Sequence, residues 1–212
     1  MVLAVVEAVG VEQVAGGETE RNVMKNVWIV LGVLVVLGIM AFGWYQGGYN
    51  KIVALDQQVK SSWAQVENQL QRRFDLIPNL VSTVKGYAAH EKGILEDVTR
   101  LRSQWGAAST VSDKVAAAND LGGALSRLLM VSENYPNLKA DQNFLALQSQ
   151  LEGTENRIAV ERMRYNESVQ MFNSYQKSLF GKFFAGQAGL TQEAVYFKTE
   201  SSQAREVPKV QF

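Results

Sequence analysis

Between Asn26 and Asn50 the chain has no charged residue, and the run VWIVLGVLVVLGIMAFGWY inside it is apolar or small at nearly every position. Roughly 19 such residues make about 28 Å of helix at 1.5 Å per residue, enough to cross the hydrocarbon core of a bilayer. Trp28 stands near one end and Trp44-Tyr45 near the other, where amphipathic rings favour the headgroup region. The pattern predicts a transmembrane helix over residues 26–46. A cleaved signal peptide is the rival reading, with Lys25 before the apolar run and small residues such as Ala41 and Gly43 ahead of a cut. Against it, the run exceeds the roughly 7–15 residues of a signal core, and bulky Trp44 follows the cut.

Past the run the pattern changes from uniform to periodic. Ile52, Leu55, Val59, Trp63, Val66, Leu70, Phe74, Ile77, Val81, Val84 and Ala88 recur at steps of three and four, one stripe down a long helix. The stripe passes through Pro78, which removes the amide that would bond the Phe74 carbonyl, so a kink is expected at DLIPN rather than two unrelated elements. Asp56 and Lys60, four apart on the polar side, form a supportive pair.

A boundary follows at HEKG, after which Ile94, Val98, Leu101 and Trp105 carry a second stripe, and GAASTVSD reads as a loop. A further helix is expected from Asp113 to Val131, with Gly122-Gly123 marking either the close approach of a neighbour or a local break. ENYPNLKAD is a turn in which Pro136 stops the helix and Asp141 is placed to cap the next one. In that last long helix Phe144, Leu147, Leu151, Ile158, Tyr165, Val169, Phe172 and Leu179 recur at near-heptad spacing, interrupted by Thr154, Arg162 and Gln176. Such polar interruptions usually fix register in a helical bundle. TQEAVYFKTE is expected to form a short last helix, and VPKVQF a frayed tail.

No segment alternates with period two over a strand's length. The expected fold is therefore all-α: an N-terminal single transmembrane helix followed by an antiparallel bundle of about four long helices. The divisions are 1–25, a disordered tail or over-extended start with Met24 as the rival initiator; 26–46, the span; 47–200, the bundle; and 201–212, a flexible tail. Lys and Arg near the span tie, Arg21 and Lys25 before it and Lys51 and Lys60 after it, so the positive-inside rule does not decide topology. A start at Met24 would leave the bundle outside.

Charge narrows the partners. From Gly47 on, with Arg21, Lys25 and the glutamates at 7, 12, 18 and 20 set aside, 19 Lys and Arg face 17 Asp and Glu. That near-neutral domain has no basic stripe for nucleic-acid phosphates and no polybasic cluster for anionic lipid. With no cysteine, it has no disulfide framework or thiolate site.

The chemistry-bearing residues crowd into QRRFDLIPNLVSTVKGYAAHEKG, from Gln71 to Gly93. A zinc-protease helix needs two histidines four apart, and His90 is the only histidine in the chain. One histidine also cannot furnish the paired Glu-x-x-His motifs of a di-iron bundle. No Gly-x-Ser-x-Gly elbow accompanies His90, and there is no phosphate loop, dinucleotide fingerprint or calcium loop. No cofactor, metal or nucleic acid is expected. Asp75 is expected to pair with Arg72 or to cap amides freed at the bend.

The stretch YNKIVALDQQVKSSWAQVENQLQRRFDLIPNLVSTVKGYAAHE, followed by ENYPNLKADQNFLALQSQLEGTENRIAVERMRYNESVQMFN and by VYFKTE, resembles the LemA family of bacterial membrane proteins. In that family a YN start, an AW- or SW-type aromatic, QL-x-RR-x-DLIPNLV and TVKGYA-x-HE recur in this order. The likeness covers about Tyr49 to Lys198. It implies an N-terminal anchor and a bundle of long helices, in a family without an established catalytic activity. The chain departs from the family pattern in its 23 leading residues and in SLFGKFFAGQAGL, which lacks the proline expected after the last helix.

The functional expectation is a single-pass protein of the bacterial cytoplasmic (inner) membrane, bundle outward, that works as a non-enzymatic scaffold or adaptor of the cell envelope. Its contacts would be the lipid bilayer through residues 26–46 and a protein partner or another copy of itself. Arg72, Arg73, Asp75, Pro78, Asn79, Lys85, Tyr87, His90 and Glu91 are the candidate residues, either binding that partner or locking the kinked helix into its own bundle. The alternatives are a structural homo-oligomer organising the membrane and a hydrolase using His90.

Overall fold

A computed structural model describes the backbone of residues 2–198 and the side chains of residues 24–198. The expected tail at 201–212 lies outside the described residues. Among the described residues six helices follow one another: α1 (Val2–Tyr87), α2 (Lys92–Ala107), α3 (Val111–Ser132), α4 (Pro136–Lys139), α5 (Gln142–Lys177) and α6 (Leu179–Gln187). No strand occurs among the described residues, as the missing period-two alternation implies. The chain divides into two compact units, one up to Lys51 and one from Ile52 on.

In the first unit, residues 24–47 are exposed throughout. This part of α1 is apolar and long enough to cross a membrane, by length and composition. The divisions at residues 25 and 46 correspond to no break in the helix.

In the second unit, the stripe becomes the core. Val66, Leu70, Phe74, Ile77, Val84 and Ala88 are buried, and Leu55, Val59, Trp63 and Val81 half-buried; Leu80 adds a position the spacing missed. The helix continues through Pro78 to Tyr87. It ends one turn before HEKG, where the Glu91 amide closes a turn onto the Ala88 carbonyl at 3.1 Å.

Three longer helices pack around this part of α1. On α5, Ser168 meets Ser62, Glu155 meets Arg73 and Asp141 meets Tyr87, so the two run antiparallel in one register for most of their length. On α2, Trp105 stacks on Phe74 with centroids 4.1 Å apart. Lys114 of α3 bonds Glu67 and lies over the Trp105 ring. Stacked aromatic pairs of this kind add about 0.5–1.5 kcal/mol beyond their buried area.

Polar caps set the helix starts. Thr110 accepts from the Asp113 amide at 3.1 Å, Asp141 from Phe144 at 2.9 Å and Ser178 from Gly181 at 3.1 Å, each satisfying a donor that a helix start leaves open. ENYPNLKAD holds a one-turn helix, α4, with Pro136 in its first turn, where the missing amide costs nothing.

The C-terminal region departs from expectation twice. The long helix stops at Lys177, and Leu179 starts α6 and is 83% exposed. Ser178, in extended conformation, turns the chain there. A Cβ on Gly181 would stand 1.7 Å from the Tyr175 carbonyl oxygen, so the turn admits only glycine. TQEAVYFKTE is not a helix either: its described residues are extended, and residues 190–198 run antiparallel along α5.

That extended strap is held by side-chain amides. The Asn173 amide donates to the Ala194 carbonyl and accepts from the Ala194 amide, both at 2.9 Å. Asn166 does the same with Phe197 at 3.0 and 2.8 Å. Seven residues of helix and three of extended chain both span about 10 Å, so the spacing of the asparagines matches the strap. Gln176 donates to the Leu190 and Gln192 carbonyls, and Tyr165 to that of Val195 at 2.7 Å. Asn119 of α3 holds the Lys198 carbonyl, and Phe197 is buried beneath.

Candidate functional site

The nine candidate residues fall into two groups. Arg73, Tyr87 and Glu91 bond residues beyond α1, although Tyr87 is itself 45% exposed. The Arg73 guanidinium is mostly buried and meets the Glu155 carboxylate at 2.7 Å. Burial pulls the Arg73 pKa below its ordinary value, and Glu155 opposes that shift. Of the two readings of Gly122-Gly123, the local break does not occur, since α3 runs through both; the neighbour at Gly122 is this guanidinium, with Arg73 Nη2 3.5 Å from where a Cβ would stand, an ordinary contact distance.

At the far end of the same helix, the Tyr87 hydroxyl donates to Asp141 Oδ2 at 2.9 Å, and the Tyr135 hydroxyl donates to Glu91 Oε1 at 3.1 Å. Asp141 is thus both the cap of α5 and the acceptor for Tyr87. Its bonds from the Phe144 amide and the Tyr87 hydroxyl hold its carboxyl below the usual aspartate pKa, while the bond to Asp141 raises that of Tyr87. Tyr135 is raised by burial and by Glu91.

The second group, Arg72, Asp75, Pro78, Asn79, Lys85 and His90, is exposed. Asp75 accepts from Gln71 Nε2 at 2.7 Å, which corrects the expected pairing with Arg72; Gln71 sits one turn earlier on the same face. Arg72 and Asp75 line a groove of about 450 Å³ with Gly153 and Arg157 of α5. Asn79 lines the next groove along the same helix pair, of about 380 Å³, and Gln150 borders both. Lys85 faces the other side, toward Glu96 and Arg100 of α2.

Pro78 has a partner the sequence did not reveal. With no amide at Pro78, the Phe74 carbonyl lacks its helical donor, and Arg102 Nε on α2 donates to it at 3.4 Å. The segment is thereby tied to a neighbouring helix at its weakest point. Near Arg73 a cavity of about 440 Å³ opens between α1, α3 and α5, bordered also by Gly122, Glu155, Arg162 and Phe197. Among the described residues no group of three or more His, Asp and Glu could hold a metal ion.

The LemA family model matches residues 62–212. The chain belongs to the LemA family. Magnetosome protein MamQ 2 of Paramagnetospirillum magneticum is 26% identical over 183 residues, covering 74% of this chain and 67% of that protein. Magnetosome protein MamQ of Magnetospirillum gryphiswaldense is 25% identical over 151 residues, covering 59% of this chain and 56% of that protein. Protein LemA of Metamycoplasma hominis is 21% identical over 188 residues, 88% of this chain and 83% of its relative. In this LemA-family chain QRRFDLIPNLV and TVKGYAAHE thus supply two kinds of candidate residue beside the buried core positions Phe74, Ile77, Leu80, Val84 and Ala88: Arg73, Pro78, Tyr87 and Glu91 tie the helix down or create the need for a tie, and Arg72, Asp75, Asn79, Lys85 and His90 lie on its surface.

Proposed function

We propose that this LemA-family chain is a membrane-anchored, non-enzymatic scaffold, its bundle presenting the α1–α5 groove around Arg72, Asp75 and Asn79 to a protein partner or a second copy. The observation that carries the reading is the apolar stretch of residues 27–45, exposed at every position, followed in the same chain by a bundle whose ion pairs and hydrogen bonds join its separate elements. Exposed apolar surface of that extent needs lipid or protein around it. A cross-braced bundle suits a fixed display surface. The similarity to proteins named for the magnetosome supports a membrane setting for this chain, here the bacterial cytoplasmic membrane with the bundle outward.

The test is photocrosslinking in intact cells from an unnatural residue at Ser149, on the rim of the groove, with and without Arg72→Glu plus Arg157→Glu. Defined adducts lost in the double variant support the groove; adducts identical in both overturn it. Labelling of Met130→Cys by a membrane-impermeant maleimide in the same cells reads the side, and protection until the cells are opened would put the bundle inside.

A further inference from the structure

We infer that α6 is an interfacial membrane helix, lying on the bilayer with Leu179 and Phe183 in the headgroup region; this rests on the anchored reading above. α6 is short and carries one charge, that of Lys182. Its two faces differ sharply. Gly181, Phe184 and Ala185 are buried, whereas Leu179 is 83% exposed, Phe183 50% and Phe180 57%. Residues 179, 180 and 183 share a face by helical spacing. A large aromatic and aliphatic surface with a flanking lysine is the composition of a helix that rests in a membrane interface.

Its place in the bundle points the same way. α5 runs antiparallel to α1 with Ser168 on Ser62. Nine residues onward along α5 lead to Lys177, and ten residues back along α1 lead to Ile52, roughly 14–15 Å in either case at 1.5 Å per residue. α6 therefore starts at the end of the bundle where α1 enters it. Ile52, Phe172, Phe184 and Ala185 are buried there, apart from the main core cluster. In sequence Ile52 is seven residues from Tyr45, the last aromatic of the apolar run. Even fully extended chain covers at most about 25 Å over that interval. The end of the bundle that carries α6 is thus tethered close to the bilayer surface, and the glycine-only turn at Gly181 fixes which face of α6 looks outward.

The chain has no cysteine, so single cysteines can carry an environment-sensitive bimane. Labels at Phe183→Cys, Leu34→Cys and Met130→Cys are placed in the full chain, reconstituted in vesicles of phosphatidylcholine and phosphatidylglycerol. Part of the phosphatidylcholine is brominated near the headgroup end or near the tail end of its acyl chains. Circular dichroism matching the unsubstituted chain qualifies each variant.

The expected result is that tail-brominated lipid removes most of the Leu34 signal, headgroup-end bromine removes most of the Phe183 signal, and neither changes Met130, which is 64% exposed and far along the bundle. A Phe183 label as insensitive as Met130 beside a quenched Leu34 overturns the inference and leaves the anchor standing. A Phe183 label shielded from aqueous iodide yet untouched by bromolipid means a second copy covers α6, and equally overturns it. An unquenched Leu34 overturns the anchored reading and this inference together.

Discussion

Pro78 and Arg102 show how a backbone fault is repaired by a side chain twenty-four positions away. The Phe74 carbonyl is deprived of its helical donor by Pro78 and receives Arg102 Nε instead. Removing that donor by Arg102→Leu is expected to cost about 1 kcal/mol, the usual net value of such a bond. Pro78→Ala restores an amide in the right place, so Arg102→Leu in that background should cost distinctly less. Urea unfolding of the four proteins of the cycle measures the coupling; strict additivity would mean that the two residues act independently.

Asp141 carries a pH dependence of known sign. Its pKa is lowered in the folded chain by the Phe144 amide and the Tyr87 hydroxyl. The stability it contributes is therefore fully present above the ordinary aspartate pKa and lost as pH falls through the lower, folded value. Asp141→Asn keeps the cap without a titrating group. The expected outcome is a thermal midpoint that falls less steeply between neutral and acid pH in the Asn variant than in the parent.

At the scale of the element, the strap is the part whose stability is most easily read. Each asparagine offers a donor and an acceptor to one residue of the strap, as a neighbouring strand would. Asn173→Ala removes both bonds to Ala194 and is expected to destabilise by about 1–3 kcal/mol. Hydrogen exchange at Ala194 and Phe197 should accelerate well before that in α2 or α3. Uniform acceleration would mean that the strap opens only with the whole bundle.

This is also where the sequence was least legible. The stripes in α1, α2 and α5 were readable because burial on one helix face imposes a period, and Thr110, Asp141 and Pro136 because caps and breakers act within a turn. Gln176 stands out as a polar interruption of the α5 stripe, but Asn166 and Asn173 carry no such local mark. The partners of all three are backbone carbonyls and amides 14 to 31 residues ahead, and any sequence in the strap offers those. AVYF, in turn, read as helix by composition, while the asparagines supply bonds that let it stay extended. Of the nine candidate residues, the sequence placed all in one segment, but which of them bond partners beyond α1 depended on Glu155, Asp141 and Tyr135 and could not be read from α1 alone.

For the whole molecule, the decisive property is whether one continuous chain joins a lipid-immersed segment to a bundle that folds around its own extension. Residues 24–47 are exposed, so a charge introduced there disturbs no packing within the protein and reports on the surroundings of the helix. In the middle of a span, a lysine costs about 2.5–3.5 kcal/mol on the insertion scale. Val35→Lys combined with Leu37→Lys is therefore expected to shift the chain from the carbonate-resistant membrane fraction into the supernatant. The bundle should retain its unfolding transition, because none of its buried residues lies before Ile52. A parallel loss of helix signal and thermal cooperativity in the released protein would mean that the anchor and the bundle are folded as one unit. Retention of cooperativity with loss from the membrane would assign the two roles to the two parts of the chain that the contacts already separate at Lys51.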